Sequence, residues 1–173
     1  MFPVLLSAQT ESSSVQDLPL LYEGFVALDQ GRDTNYHKMI SSFERSFGNY
    51  SGTKIIKHSA DTDTLIATSR VNFEQSDLQN KEDTRGAIYF KIRMKADENG
   101  IYYTIGEFNH HGNADARHGP KSFGLITQSA DPPRVAGITR KSGIHIWADI
   151  KATIDVQIKE RMAEFEHQLE LNF

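Results

Sequence analysis

The chain has 173 residues and carries 19 Lys and Arg against 23 Asp and Glu, a net charge of −4 with histidine neutral. That length suits one domain, and the acidic balance argues against a dedicated nucleic-acid binder, which carries a basic excess. With no cysteine, thiol catalysis, disulfides, cysteine-zinc sites and a lipidated cysteine are excluded, and no apolar run approaches the roughly 18–20 residues that cross a bilayer.

Residues 1–19 read as a leader remnant and a polar linker. Phe2 to Leu6 is apolar, and Ser7-Ala8-Gln9 supplies small residues of the kind found at a signal-peptidase site. The basic n-region and the roughly 7–15 apolar residues of a complete signal are missing. The segment is therefore expected to be the end of an export signal whose start lies upstream, or else a hydrophobic arm packed on the domain. The first reading places the protein in the periplasm or outside the cell. Thr10 to Asp17 follows as linker, and one domain is expected over 20–173.

Leu20 to Leu28 is apolar and short, as a buried strand is, and Asp29 to Asp33 ends it with turn residues. Thr34 is a plausible N-cap for a helix whose Tyr36, Ile40, Phe43 and Phe47 share one face, with Gly48 at its end. Lys54 to His58 reads as a short strand, and Asp61-Thr62-Asp63 as a turn. Leu65, Ala67, Val71 and Phe73 then oppose Thr68, Arg70 and Asn72. After a polar connection at 75–84, Ile88, Phe90, Ile92, Met94 and Ala96 alternate with Tyr89, Lys91, Arg93 and Lys95, a period of two. Asp97-Glu98-Asn99-Gly100 predicts a hairpin with Asn-Gly at positive φ, and Ile101 to His110 returns as the partner strand. Residues 111–143 form a long loop, with a short strand possible at Phe123 to Thr127 and none through Pro132-Pro133. Trp147, Ile150, Ile154, Ile158, Met162, Phe165 and Leu169 then recur at three- and four-residue steps, predicting an amphipathic helix of about six turns.

The expected fold is α+β: a curved antiparallel sheet of about five strands with two helices on one face, in the order β-α-β-β-β-β-α. The other face is left open. Several stretches strengthen this reading: FVALDQGRDTNYHKMISSFERSF, LIATSRVNF, GAIYFKIRMKADENGIYYTIGEFNHHG, KSFGLITQSADPP and the terminal helix. Over about Leu21 to Leu169 they resemble a bacterial domain-of-unknown-function family with a TBP-like fold, named after the TATA-box-binding protein. Ser42-Phe43 departs from the Trp-Phe often found in that family's helix. The resemblance implies exported or envelope proteins of Gram-negative bacteria, and it implies no activity and no catalytic residues.

Two clusters stand out as candidate sites. Arg85 to Lys95 holds four basic residues and no acid; Lys91, Arg93 and Lys95 share the open face with Tyr89, and Tyr102 and Thr104 are expected beside them. Basic side chains interleaved with aromatics grip anions and stack rings, while a solvated strand face explains the same residues without a ligand. The namesake's DNA binding is fold analogy only, and nucleic acid is not expected here. The second cluster is His110, His111, Asp115 and His118, ligand types that suit zinc when thiolate is absent. Its spacing matches no metal motif, and turn-capping polar residues are the plainer reading. Glu107 is the acid nearest the histidine pair.

No Gly-x-Ser-x-Gly or Walker-type loop is present. The leading expectation is a non-enzymatic exported domain, without cofactor, that binds a protein or envelope component through the open sheet face or the 111–143 loop. The alternatives are a small metal-dependent hydrolase at 110–118 and a structural accessory subunit of an envelope complex. Phe165, Leu169, Leu171 and Phe173 also raise the prospect of a homodimer through the end of the last helix.

Overall fold

The computed structural model describes residues 18–74 and 82–171. The leader-like segment, the linker at 10–17, most of the polar connection at 75–84, and Phe173 lie outside the described residues. In chain order the elements are β1 (Tyr22–Ala27), α1 (Arg32–Ser46), β2 (Lys54–Ser59), β3 (Thr64–Phe73), a short 3-10 turn (Glu82–Thr84), β4 (Gly86–Ala96), β5 (Gly100–Gly112), β6 (Gly124–Leu125) and α2 (Arg140–Leu171). The strands form one antiparallel sheet in the order β1-β5-β4-β3-β2. β6 lies beside the second half of β5, on the same edge that β1 covers along the first half.

Alternation decides which face the helices cover. Leu65, Ala67, Val71 and Phe73 on β3 and Ile88, Phe90, Ile92, Met94 and Ala96 on β4 are all buried, because successive strand side chains point to opposite faces. Both helices pack on that face. α1 contributes Tyr36, Met39, Phe43 and Phe47, with Ile40 only partly buried at its flank. α2 contributes a stripe from Ile146 to Leu169. Phe43 stacks on Phe47 at 4.9 Å between ring centroids, and Phe47 meets Phe165 edge-on at 6.5 Å, joining the two helices. Phe165 and Leu169 are thus core residues, and of the apolar C-terminal set only Leu171 is exposed among the described residues.

Four boundaries differ from the sequence expectation, each for a local reason. α1 starts two residues before Thr34: Gly31, at φ 80°, takes the capping position, and its carbonyl accepts from the Asn35 N–H at 3.0 Å. The β4–β5 hairpin does not rest on Asn99 at positive φ. Instead the Asp97 carboxylate accepts from the N–H groups of Asn99 and Gly100 at 2.8 and 2.9 Å, an Asx-type turn. α2 begins at Arg140, seven residues before Trp147, and its 32 residues span about 48 Å, roughly nine turns. Thr139 caps it, its hydroxyl accepting from the Ser142 N–H at 3.2 Å, and the polar first turn, Arg140 to Ser142, hides this start from apolar periodicity. The long loop shortens accordingly to 113–139 and is pinned midway. There Leu20 N–H donates to Ile126 at 3.0 Å and Gln128 N–H to Leu18 at 2.9 Å.

One polar group inside the core ties sheet to helix. Arg161 of α2 is buried, donating to the Ser69 hydroxyl at 2.8 Å and the Arg70 carbonyl at 3.0 Å. Its guanidinium lies 3.9 Å from the Tyr50 ring centroid and 5.5 Å from that of Phe90.

Candidate functional site

The face of the sheet that neither described helix covers carries the first candidate cluster. On β4, Tyr89, Lys91, Arg93 and Lys95 all point to it, and the register sets Lys95 opposite Tyr102 and Arg93 opposite Thr104. Their neighbours across the sheet extend the charge. Arg93 pairs with Ile66 and Tyr89 with Arg70 on β3, while Lys54 and Lys57 on β2 pair with Thr68 and Ile66. Six cations (Lys54, Lys57, Arg70, Lys91, Arg93 and Lys95) face two carboxylates, Glu23 and Glu107, in a chain whose net charge is −4.

The other half of the same face is apolar. Leu21 lies over Gly106, where an added Cβ would come within 2.8 Å of its Cδ1. Phe25 and Tyr102 sit against each other at 4.5 Å. Leu125 on β6 pairs with Asn109. Leu21, Phe25, Tyr102 and Leu125 are each more than two-fifths exposed. The face is therefore basic along β2, β3 and β4, and apolar along β1, β5 and β6. Leu21, Phe25 and Leu125 were not singled out in the sequence because their exposure depends on which strands neighbour β5.

A bulge organises the middle of this face. Between the pairs Tyr89–Asn109 and Lys91–Gly106, β5 holds one extra residue, and Glu107 takes φ 56°. A left-handed conformation costs an ordinary side chain about 1 kcal/mol or more. Glu107 thereby reaches the basic side rather than the histidines: its carboxylate lies 2.7 Å from Lys91 Nζ and bonds Arg93. Hydrogen bonds from Lys91 and Arg93 hold its pKa below the usual carboxylate value. All three groups are substantially exposed, so the pairs contribute little to stability. Replacing Glu107 with Ala removes the pairs and keeps the backbone cost, whereas Gly removes both. We expect Glu107→Gly to be the more stable of the two by about 1 kcal/mol in urea unfolding, and equal stabilities would refute the assigned strain.

The bulge also sorts the histidine cluster. His110 turns into the core and His111 turns out, packing edge-on to Tyr89 at 5.1 Å. His110 has no exposed surface. Its Nε2 lies 3.0 Å from the Thr84 carbonyl, and its Nδ1 accepts from the Phe123 N–H at 3.2 Å. The ring is therefore the neutral tautomer with its proton on Nε2. Burial pushes its pKa down to about 4, the Thr84 bond opposing and nearby His111 adding to the shift. With both nitrogens engaged by backbone, His110 has no lone pair left for a metal. Asp115 is exposed in a turn whose N–H bonds the Asn113 side chain. His118 borders a separate polar hollow with Asp83, Arg117 and Lys121. The expected ligand set is therefore dispersed, and no group of three or more His, Asp or Glu among the described residues is placed to hold a metal ion. Tyr89, Lys91, Arg93, Lys95 and Tyr102, by contrast, lie together.

The comparisons agree with this architecture. A family described as a domain of unknown function (DUF4468) with TBP-like fold matches residues 24–111, about half of the chain. A TBP-like protein from Parabacteroides distasonis superposes with TM-score 0.55 at 14% identity, covering 84% of this chain and 92% of its own. A DUF4468 family protein from Bacteroides ovatus gives TM-score 0.57 at 10% identity, covering 85% and 86%. At such identities the likeness speaks for the fold alone, and no curated protein sequence matches the chain. Helices on one face of a six-stranded sheet, the bulged β4–β5 ribbon and the matched span from Gly24 to His111 converge on one conclusion: the chain belongs to the DUF4468 family of domains with a TBP-like fold.

Proposed function

We propose that the domain is a non-enzymatic, exported binding module whose open sheet face docks an acidic surface of a protein or envelope component. One observation carries this reading: a dense array of cations adjoins exposed apolar side chains on the side of the sheet that neither described helix covers. Charge of one sign steers an opposite partner and fixes its register, while apolar anchors supply affinity once water is excluded. The chain's net charge of −4 disfavours a polyanion and favours a protein over a nucleic acid. Export rests on the leader-like residues Phe2 to Gln9.

The test is a photo-crosslinking residue placed at Tyr102, with a second at exposed Ala163 on the outer side of α2 as control. Irradiation of native cells is expected to yield a discrete adduct from position 102 and none from 163. Lys54→Glu with Lys95→Glu should lower adduct yield at least tenfold while the melting curve is kept. Equal adducts from both positions, or full capture after charge reversal, would remove the sheet face as the docking surface.

A further inference from the structure

A second site stands apart from the sheet face. The segment before α2 and the first turn of that helix border a partly open cavity of about 600 Å3, within the ~300–1,000 Å3 of small-molecule sites. Its floor is apolar: Phe123 from the core, Val135 and Ile138 packed against the core, and the ring of Pro132. Gly143 forms the helix side of the wall, and a Cβ there would project to 3.6 Å from Pro132 and 3.8 Å from Ile138. Glycine in a helix costs about 1 kcal/mol relative to alanine, so this helix gives up stability at a wall position where a larger side chain would enter the cavity. The rim is polar and carries Arg134, Arg140 and Asp131.

We propose that this cavity binds a small amphiphile carrying one carboxylate, its apolar body on Phe123, Val135 and Ile138 and its anion between the two guanidiniums. The charge balance selects a monoanion. Asp131 already answers one rim cation, lying 3.4 Å from Arg140 with both groups exposed, which leaves one positive charge over. A planar guanidinium matches a carboxylate with two parallel hydrogen bonds. The site shares no residue with the sheet face and does not depend on the function proposed above.

The chain supplies its own reporter. Trp147 is its single tryptophan, and the ring lies 6.0 Å from that of Phe123, so a ligand on Phe123 perturbs Trp147 emission. The probes are decanoate and decyltrimethylammonium below their micelle concentrations and decanol below its solubility limit. Decanoate should give a saturable change, decanol one at least tenfold weaker, and the cation none. Joint Arg134→Gln and Arg140→Gln, both exposed positions, should reduce decanoate to the affinity of decanol. Gly143→Leu should abolish the response by filling the cavity. No saturable change with decanoate, or equal responses to all three head groups, would overturn the proposal, and the arginine variant decides the matter even where Gly143→Leu fails to fold.

Discussion

Arg161→Ala is expected to cost the domain about 3–4 kcal/mol, seen as a fall in melting temperature of about 6–15 °C, whereas Arg161→Met should stay within about 1 kcal/mol of the parent. The contrast follows from what surrounds the guanidinium. It is buried against Tyr50 and Phe90 and donates to Ser69 and the Arg70 carbonyl, but its Nε has no hydrogen-bond partner. No carboxylate among the described residues forms a salt bridge with it. Burial pulls its pKa below the usual arginine value, with Tyr50 acting in the opposite sense. Alanine leaves a cavity beneath Tyr50 and an unpaired carbonyl. Methionine keeps most of the volume and removes a desolvated charge, which offsets the lost bonds. If methionine proves as damaging as alanine, the hydrogen bonds rather than the packing hold α2 to β3.

The sheet was legible because its two central strands obey the period of two without interruption. Ile88 to Ala96 names both faces of β4 outright, and Leu65 to Phe73 does the same for β3. The start of α2 was not legible, since Arg140 to Ser142 is polar, Gly143 is a poor helix former, and its cap, Thr139, is one threonine among several in a polar stretch. The hairpin turn was placed correctly for a partly different reason: aspartate in a turn competes with Asn-Gly as a device, and here the Asp97 carboxylate does the folding.

The candidate site divides along the same line. Lys91, Arg93, Lys95, Tyr89 and Tyr102 follow from alternation and a tight hairpin, both local. What alternation alone cannot supply is the bulge. Uninterrupted, Tyr102 and Thr104 would be followed on the open face by Gly106, Phe108 and His110. Glu107 adds one residue to β5 and reverses the phase, so Phe108 and His110 turn inward and Asn109 and His111 outward. A sequence signal existed, Gly106 beside a lone acid opposite a basic run, but only the strand register makes it decisive.

That phase reversal has a consequence for acid stability, and His110→Leu exposes it. The ring is held among Phe73 and Phe123, with centroids 5.3 and 5.7 Å away, and it bridges Thr84 before β4 to Phe123 before β6. Leucine would leave the buried Phe123 N–H without its acceptor, at about 1–3 kcal/mol, and would remove the bond to the Thr84 carbonyl, at about 0.5–1.5 kcal/mol, so near pH 7.5 the variant should lose roughly 2–4 kcal/mol. Acidification should then narrow the gap. The unfolded chain takes a proton on His110 near pH 6.5, and the native state, whose ring is held neutral, does so only near pH 4. Between these values the unfolded state binds more protons, and the parent loses stability as pH falls, by roughly 3 kcal/mol over the window. The leucine variant lacks this contribution. Urea unfolding of both proteins from pH 7.5 to 4 should show the difference between them shrinking through that interval and levelling off below it. A constant difference would mean that His110 protonates in the native state as readily as in the unfolded chain, and that the aromatic cage and the Phe123 N–H do not hold it neutral.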